Sequence, residues 1–196
     1  MRCTLLSGII AAALTLTSTA AEANRTLLGD GLGKACFDAV NLGGTSRADL
    51  KLCTDAIESG SLTGADLPAT YVNRGIILMR MQRYKDALDD YERALGYRPD
   101  LAEAKINMGA ALIGLRRFNS AIEYLRDGLE GEPVAPHVAY YNLGIAHEMM
   151  GDYISAREHY ASAAEAAPEW PLAIRKLESL PLPKDDGGAG GENASR

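Results

Sequence analysis

Apolar side chains between residues 68 and 170 recur with the three- and four-residue spacing of helices that bury one face. One such stretch carries apolar or small residues at Tyr84, Ala87, Leu88, Tyr91, Ala94 and Leu95. Its remaining positions are charged: Asp86, Asp89, Asp90, Glu92 and Arg93. We therefore predict a helix that packs by its apolar face and leaves the charged face in solvent.

The same chemical pattern occurs three times along this region. Gly75, Gly109 and Gly144 are separated by 34 and 35 residues. The same two steps relate five further columns of matched residues: Tyr84, Phe118 and Tyr153; Ala87, Ala121 and Ala156; Tyr91, Leu125 and Tyr160; Ala94, Gly128 and Ala163; Pro99, Pro133 and Pro168. A fixed period of this length indicates stacked supersecondary units.

Each column has a physical role in a pair of packed helices. A glycine inside a helix costs about 1 kcal/mol in propensity, so close crossing by a second helix must outweigh that cost. The alanine column allows close helix contact at the start of the second helix. The proline ends each unit because it pushes the residue before it out of the helical region.

This pattern resembles the tetratricopeptide repeat, a helix–turn–helix of 34 residues. The third unit carries the most complete set of matching residues: Tyr140, Leu143, Gly144, Gly151, Tyr153, Ala156, Tyr160, Ala163 and Pro168. The first unit departs at Arg74, and the second at Lys105 and Met108. The resemblance implies an all-α superhelical solenoid of three units, at residues 68–101, 102–136 and 137–170.

Two caps are expected because the end repeats of such an array otherwise expose an apolar face. Residues 171–180 predict a closing helix, with Pro171 in its first turn. Residues 34–41 and 47–59 predict two short helices within an N-terminal helical cap at residues 24–67. The tail at residues 181–196 has few apolar residues to bury, so we expect it to be disordered.

The first 23 residues have the pattern of a secretory signal peptide. Arg2 supplies positive charge, residues 5–16 are mostly apolar, and Ala21 and Ala23 are the small residues that signal peptidase requires. A retained membrane anchor is the alternative, but the apolar stretch is shorter than the roughly 20 residues that span a bilayer. We predict an exported, periplasmic protein with no membrane span after cleavage. The chain also looks like small exported repeat proteins of Gram-negative, alphaproteobacterial type.

Signal cleavage removes Cys3 and leaves Cys36 and Cys53, separated by 17 residues. Disulfides persist in oxidising compartments outside the cytoplasm. We therefore predict a disulfide across the N-terminal helical hairpin. The alternative is a pair of buried thiols that do not meet.

Composition and charge narrow the classes of partner and chemistry. The net charge is −6 and no cluster of Lys or Arg interrupts it, which argues against nucleic acid and anionic lipid. His147 and Glu148 are adjacent in sequence, so they do not share a helix face as metal ligands would. No nucleophile elbow or phosphate-binding loop is present. We predict no enzyme activity, no cofactor and no metal.

The resemblance places a ligand groove on the first helices of the units. Asn73, Asn107 and Asn142 stand two residues before the three glycines, where an amide can donate to and accept from a peptide backbone. The alternative is that asparagine here belongs to the repeat consensus without a ligand. The same register places an apolar strip beside them: Val72, Ile76, Met79, Ile106, Ala110, Ile113, Tyr141, Ile145 and Met149. Packing between repeats is the alternative for these residues.

The predicted function is a non-enzymatic module that binds a protein or peptide in this groove. The family's carboxylate clamp for C-terminal peptides uses Lys and Asn where this chain has Val72 and Ile76, so that ligand is not expected. The alternative function is a structural subunit of a larger envelope assembly, which would use its outer faces.

Overall fold

A computed structural model describes residues 31–181, and within this range the chain forms nine helices and no strand. Their bounds are 31–41 (α1), Arg47–Glu58 (α2), Asp66–Arg80 (α3), Tyr84–Tyr97 (α4), Ala102–Gly114 (α5), Phe118–Glu130 (α6), Pro136–Met149 (α7), Tyr153–Ala166 (α8) and Pro171–Ser179 (α9). The all-α prediction is confirmed. The predicted signal peptide at 1–23 and residues 182–196 of the predicted tail lie outside the described range.

The chain divides into two compact units, with the boundary between Asp100 and Leu101. The first unit contains α1–α4, and the second contains α5–α9. None of the helices in residues 31–181 has the length and apolar character needed to cross a bilayer.

A disulfide joins α1 to α2 in the first unit. The sulfur atoms of Cys36 and Cys53 lie 2.10 Å apart, and both residues are fully buried. They share a small core with Ala39, Val40 and Ile77. In the chain-entropy account, a bond that closes a loop of this size adds about 3 kcal/mol to the free energy of unfolding.

The repeated glycines lie at helix crossings, as the sequence predicts. In α5, a Cβ on Gly109 would lie 2.5 Å from Cγ of Leu125 in α6. In α7, a Cβ on Gly144 would lie 2.5 Å from the Tyr160 ring in α8. Gly75 faces the ring of Tyr91 in the same way. The three columns therefore describe three hairpins of one kind: α3–α4, α5–α6 and α7–α8.

The turns inside these hairpins share one left-handed backbone position. It is occupied by Gln82 (φ 59°), Arg116 (φ 60°) and Gly151 (φ 82°). Only glycine adopts this conformation without steric cost, so the first two turns carry local strain that the third avoids.

A Gln82→Gly variant is expected to be more stable than the wild type by about 1 kcal/mol, because the left-handed conformation costs side-chain-bearing residues that much. Urea unfolding followed by circular dichroism measures the change. The matched Gly151→Ala variant is expected to lose a similar amount. An unchanged or lowered urea midpoint for Gln82→Gly would contradict the inference that this turn is strained.

The last described helix, α9, and the residues after it are held by a side chain from the repeat before it. Arg157 of α8 donates to the carbonyl oxygens of Leu177, Leu180 and Pro181 at 3.4, 3.3 and 3.1 Å. Ala173 and Leu180 are buried. These contacts satisfy carbonyl groups that the end of a helix otherwise leaves unpaired.

Candidate functional site

The three predicted groove asparagines lie on the first helices of the hairpins: Asn73 on α3, Asn107 on α5 and Asn142 on α7. All three are half-buried. Asn107 Nδ2 donates to the carbonyl oxygen of Glu103 on its own helix, at 2.8 Å. Within residues 31–181, the side chains of Asn73 and Asn142 make no such bond, so their amides are open to a ligand.

In the first unit, Asn73 lines a cavity of about 420 Å³ between α1, the α2–α3 loop and α3. Other residues lining it include Lys34, Phe37, Leu62 and Thr63. The Phe37 side chain is 53% exposed, so its ring is accessible beside the cavity. The cavity therefore offers an exposed ring and a free amide to the same ligand.

The polar groups around this cavity are only partly engaged. Lys34 Nζ pairs with Asp38 at 2.6 Å on the exposed side of α1. The buried hydroxyl of Thr70 donates to the carbonyl oxygen of Asp66 at 2.7 Å. Asp66 also lines the cavity. These groups suit a ligand that has an uncharged polar backbone and one or two side chains.

Much of the predicted apolar strip is used in packing. Val72 and Ile106 are 7% and 5% exposed. Ile106 fills the space beside Gly128, where a Cβ would lie 2.7 Å from its Cγ1. Ile76 packs against the core around Cys36 and Cys53. The half-buried positions of the strip are Ile76, Met79, Ala110, Ile113, Tyr141 and Ile145, and Met149 is exposed.

In the second unit, an aromatic group adjoins Asn142. The Tyr141 and Trp170 rings meet edge to face, with centroids 4.9 Å apart, and His137 meets Trp170 at 5.0 Å. Tyr141 and Ile145 also pack against the core of Ala156, Tyr160 and Leu180. Sequence reasoning missed Trp170, which is the last residue of the third repeat and directly precedes α9.

A buried ion pair connects α3 and α4. The Arg74 guanidinium donates two hydrogen bonds to Asp90, both at 2.7 Å, and one to Thr54 at 3.3 Å. The Asp90 side chain is 4% exposed. The assignment of Asp90 to the solvent-exposed face of α4 was wrong, because its carboxylate turns inward to Arg74. Arg74 stands where the repeat usually has leucine, and this departure was the sequence signal for a buried ion pair.

The titratable groups of the third repeat are engaged in contacts within the second unit. His147 Nδ1 lies 3.1 Å from the Asp152 carboxylate, which also accepts from the Ser155 amide. Tyr160 and Lys176 donate to Glu148 at 2.5 and 2.9 Å. Burial lowers the pKa of the nearby His159, and its electrostatic interaction with His147 lowers it further. No cluster of three potential metal ligands occurs in residues 31–181.

Glu148 shows two opposing effects on its pKa. Burial raises the pKa, but the hydrogen bonds from Tyr160 and Lys176 outweigh burial, so the pKa lies below its ordinary value. Burial also raises the pKa of Tyr160, and the Glu148 carboxylate adds to that rise. The network therefore keeps Glu148 ionised and Tyr160 protonated, as a structural link between α7, α8 and α9.

Family models of the tetratricopeptide repeat match residues 68–101 and residues 137–170. The chain therefore contains tetratricopeptide repeats. The α5–α6 hairpin lies between the two matched repeats and has the same glycine crossing. Tetratricopeptide repeats are in general non-catalytic modules that bind protein or peptide partners.

Solved tetratricopeptide-repeat structures share the fold. MamA (residues 41 to the end) from Desulfovibrio magneticus RS-1 is 21% identical with a TM-score of 0.60, covering 78% of this chain and 81% of that one. PilF of Pseudomonas aeruginosa is 17% identical with a TM-score of 0.65, covering 79% and 68%. YrrB, described as having an unusual peptide-binding site, is 22% identical with a TM-score of 0.55, covering 66% and 64%.

Proposed function

We propose that this tetratricopeptide-repeat protein is a non-enzymatic module of the cell envelope that binds an extended peptide segment of a partner. The open amide of Asn73 beside the exposed Phe37 ring, in a cavity of about 420 Å³, is the observation that carries the proposal. An extended peptide has unpaired N–H and C=O groups, and a primary amide can satisfy one of each.

The asparagines contribute differently to the proposed contact. Asn73 and Asn142 can each offer a donor and an acceptor. The amide group of Asn107 already donates to Glu103, so its oxygen is the group most readily available to a peptide N–H. The aromatic side chains near Asn73 and Asn142, Phe37 and Tyr141, would pack against ligand side chains.

The envelope location is part of the proposal. The pattern of residues 1–23 supports export, and the bonded pair Cys36–Cys53 is of the kind that persists in oxidising compartments. We therefore propose the periplasm of a Gram-negative bacterium as the location of the mature protein. The likeness in fold to YrrB supports peptide binding, since that protein is described by its peptide-binding site.

Replacing Asn73, Asn107 and Asn142 together by Ala is expected to weaken partner binding by at least tenfold. Each lost hydrogen bond costs roughly 0.5–1.5 kcal/mol, so three losses exceed the 1.4 kcal/mol that corresponds to tenfold. Because none of the three is fully buried, the stability change should stay below about 0.5 kcal/mol per site. The partner is captured from envelope extract by the variant and by the wild type, and the two captured amounts give the ratio of binding.

A variant with Asp89, Glu92 and Arg93 replaced by Ala is the control. These side chains are exposed on α4, the second helix of its hairpin, whereas the asparagines lie on the first helices. If this control loses the partner while the asparagine variant retains it, the outer faces carry binding and the protein is a structural subunit instead. An asparagine variant that melts early would show that the amides serve the fold.

A further inference from the structure

The α5–α6 and α7–α8 turns form one surface of the second unit. Residues 116–120 and Met150 line a shallow cavity of about 260 Å³ between them. Arg116 and Arg117 are exposed, and the Arg116 guanidinium lies 5.8 Å from the centre of the Phe118 ring. Positive charge and apolar surface therefore adjoin at the two turns.

Large apolar side chains are concentrated at the α7–α8 turn. Ten large apolar side chains are exposed in residues 31–181, and four of them fall within residues 149–154. These four are Met149 at 48%, Met150 at 49%, Tyr153 at 45% and Ile154 at 66% exposure. Contiguous exposed apolar surface marks interaction sites more often than isolated apolar residues do.

The two arginines lack carboxylate partners. Within residues 31–181, no Asp or Glu oxygen lies within ion-pair distance of Arg116 or Arg117. At the corresponding turn of the first repeat, Arg83 pairs with Asp86 at 2.6 Å. Asp152, the acidic residue of the α7–α8 turn, is engaged by Ser155 and His147. The charge of the two guanidinium groups is thus left for an external anion.

We propose that this surface, the basic–apolar edge of Arg116, Arg117, Phe118, Met150 and Ile154, docks an acidic protein segment that carries large aliphatic side chains. Charge complementarity supports this occupant: the carboxylates of the segment pair with the two guanidinium groups, and its aliphatic side chains cover Met150 and Ile154. The edge is positively charged, whereas the whole chain carries a net charge of −6.

A fluorescein-labelled helical peptide with glutamate on one face and leucine on the other is the probe, and fluorescence anisotropy reports its binding. We expect saturable binding that weakens as salt rises from about 0.05 M to about 0.5 M, because salt screens exposed charges. Arg116→Glu with Arg117→Glu is expected to reduce affinity by at least about tenfold. Met150→Ser with Ile154→Ser is expected to reduce it severalfold.

Arg98→Glu with Arg175→Glu makes the same charge change at two other exposed positions and is expected to retain the peptide. The triple asparagine variant is expected to retain it too, which separates this proposal from groove binding. Three results would each overturn the proposal. They are absence of peptide binding, an equal loss of affinity in the Arg98 and Arg175 control, and equal binding of a peptide with lysine in place of glutamate. Binding only to vesicles of equimolar phosphatidylcholine and phosphatidylglycerol would overturn it as well.

Discussion

A Gly109→Leu variant is expected to lose the folded structure of residues 101–181 at temperatures where the wild type is intact. A Cβ at this position would lie 2.5 Å from Cγ of Leu125 and 3.2 Å from the Ala121 carbonyl oxygen. Leu125 is fully buried and has no free space to move into. Overpacking costs about 1–3 kcal/mol, and here a whole branched side chain must displace a helix.

Gly96→Leu is the matched control, since nothing lies within 4 Å of a Cβ at that position in α4. It is expected to melt at or slightly above the wild-type temperature, because leucine favours helix by almost 1 kcal/mol over glycine. Thermal unfolding followed by circular dichroism compares the two variants. Equal melting temperatures would show that α6 does not depend on the glycine to approach α5.

Asp90→Ala is expected to lower the free energy of unfolding by about 3–5 kcal/mol, the usual cost of removing one partner from a buried ion pair. The variant leaves the Arg74 guanidinium between α3 and α4 without its two hydrogen bonds at 2.7 Å. Among residues 31–181, Thr54 is the one acceptor that remains, at 3.3 Å. Chemical denaturation measures the loss.

The double variant Arg74→Leu, Asp90→Ala distinguishes a missing charge partner from a missing packing contact. It places the leucine usual in this repeat at position 74 and leaves no buried charge. We expect it to recover at least half of the stability that Asp90→Ala loses, because replacing a buried pair by apolar residues is often neutral. A double variant as unstable as the single one would mean that Asp90 stabilises α4 independently of Arg74.

The hairpins could be predicted from the sequence because their determinants recur. Gly75, Gly109 and Gly144 meet Tyr91, Leu125 and Tyr160, and both columns repeat at the same two steps. A packing constraint that recurs three times within one chain can be recognised from that chain alone. The cysteine pair was predictable for a different reason: once the expected signal cleavage removes Cys3, two thiols in adjacent helical segments leave one possible pairing.

The Arg74–Asp90 pair occurs only once, so no period reveals it. Asp90 lies in a row of charged residues that resembles a solvated helix face, and its partner is 16 residues away in another helix. Two members of the apolar strip, Val72 and Ile106, are buried, and in α5 the buried residues extend around much of the helix. Its buried residues include Ala104, Ile106, Met108 and Leu112, which do not share a single face.

Trp170 is the only tryptophan in the chain, and its ring packs against Tyr141 and His137. Its fluorescence is therefore a local reporter of the junction between the third repeat and α9. Far-ultraviolet ellipticity, in contrast, averages over every helix. Unfolding curves recorded by the two signals coincide only if α1–α4 and α5–α9 melt as one cooperative system. Any separation between the curves measures the thermodynamic independence of the two units.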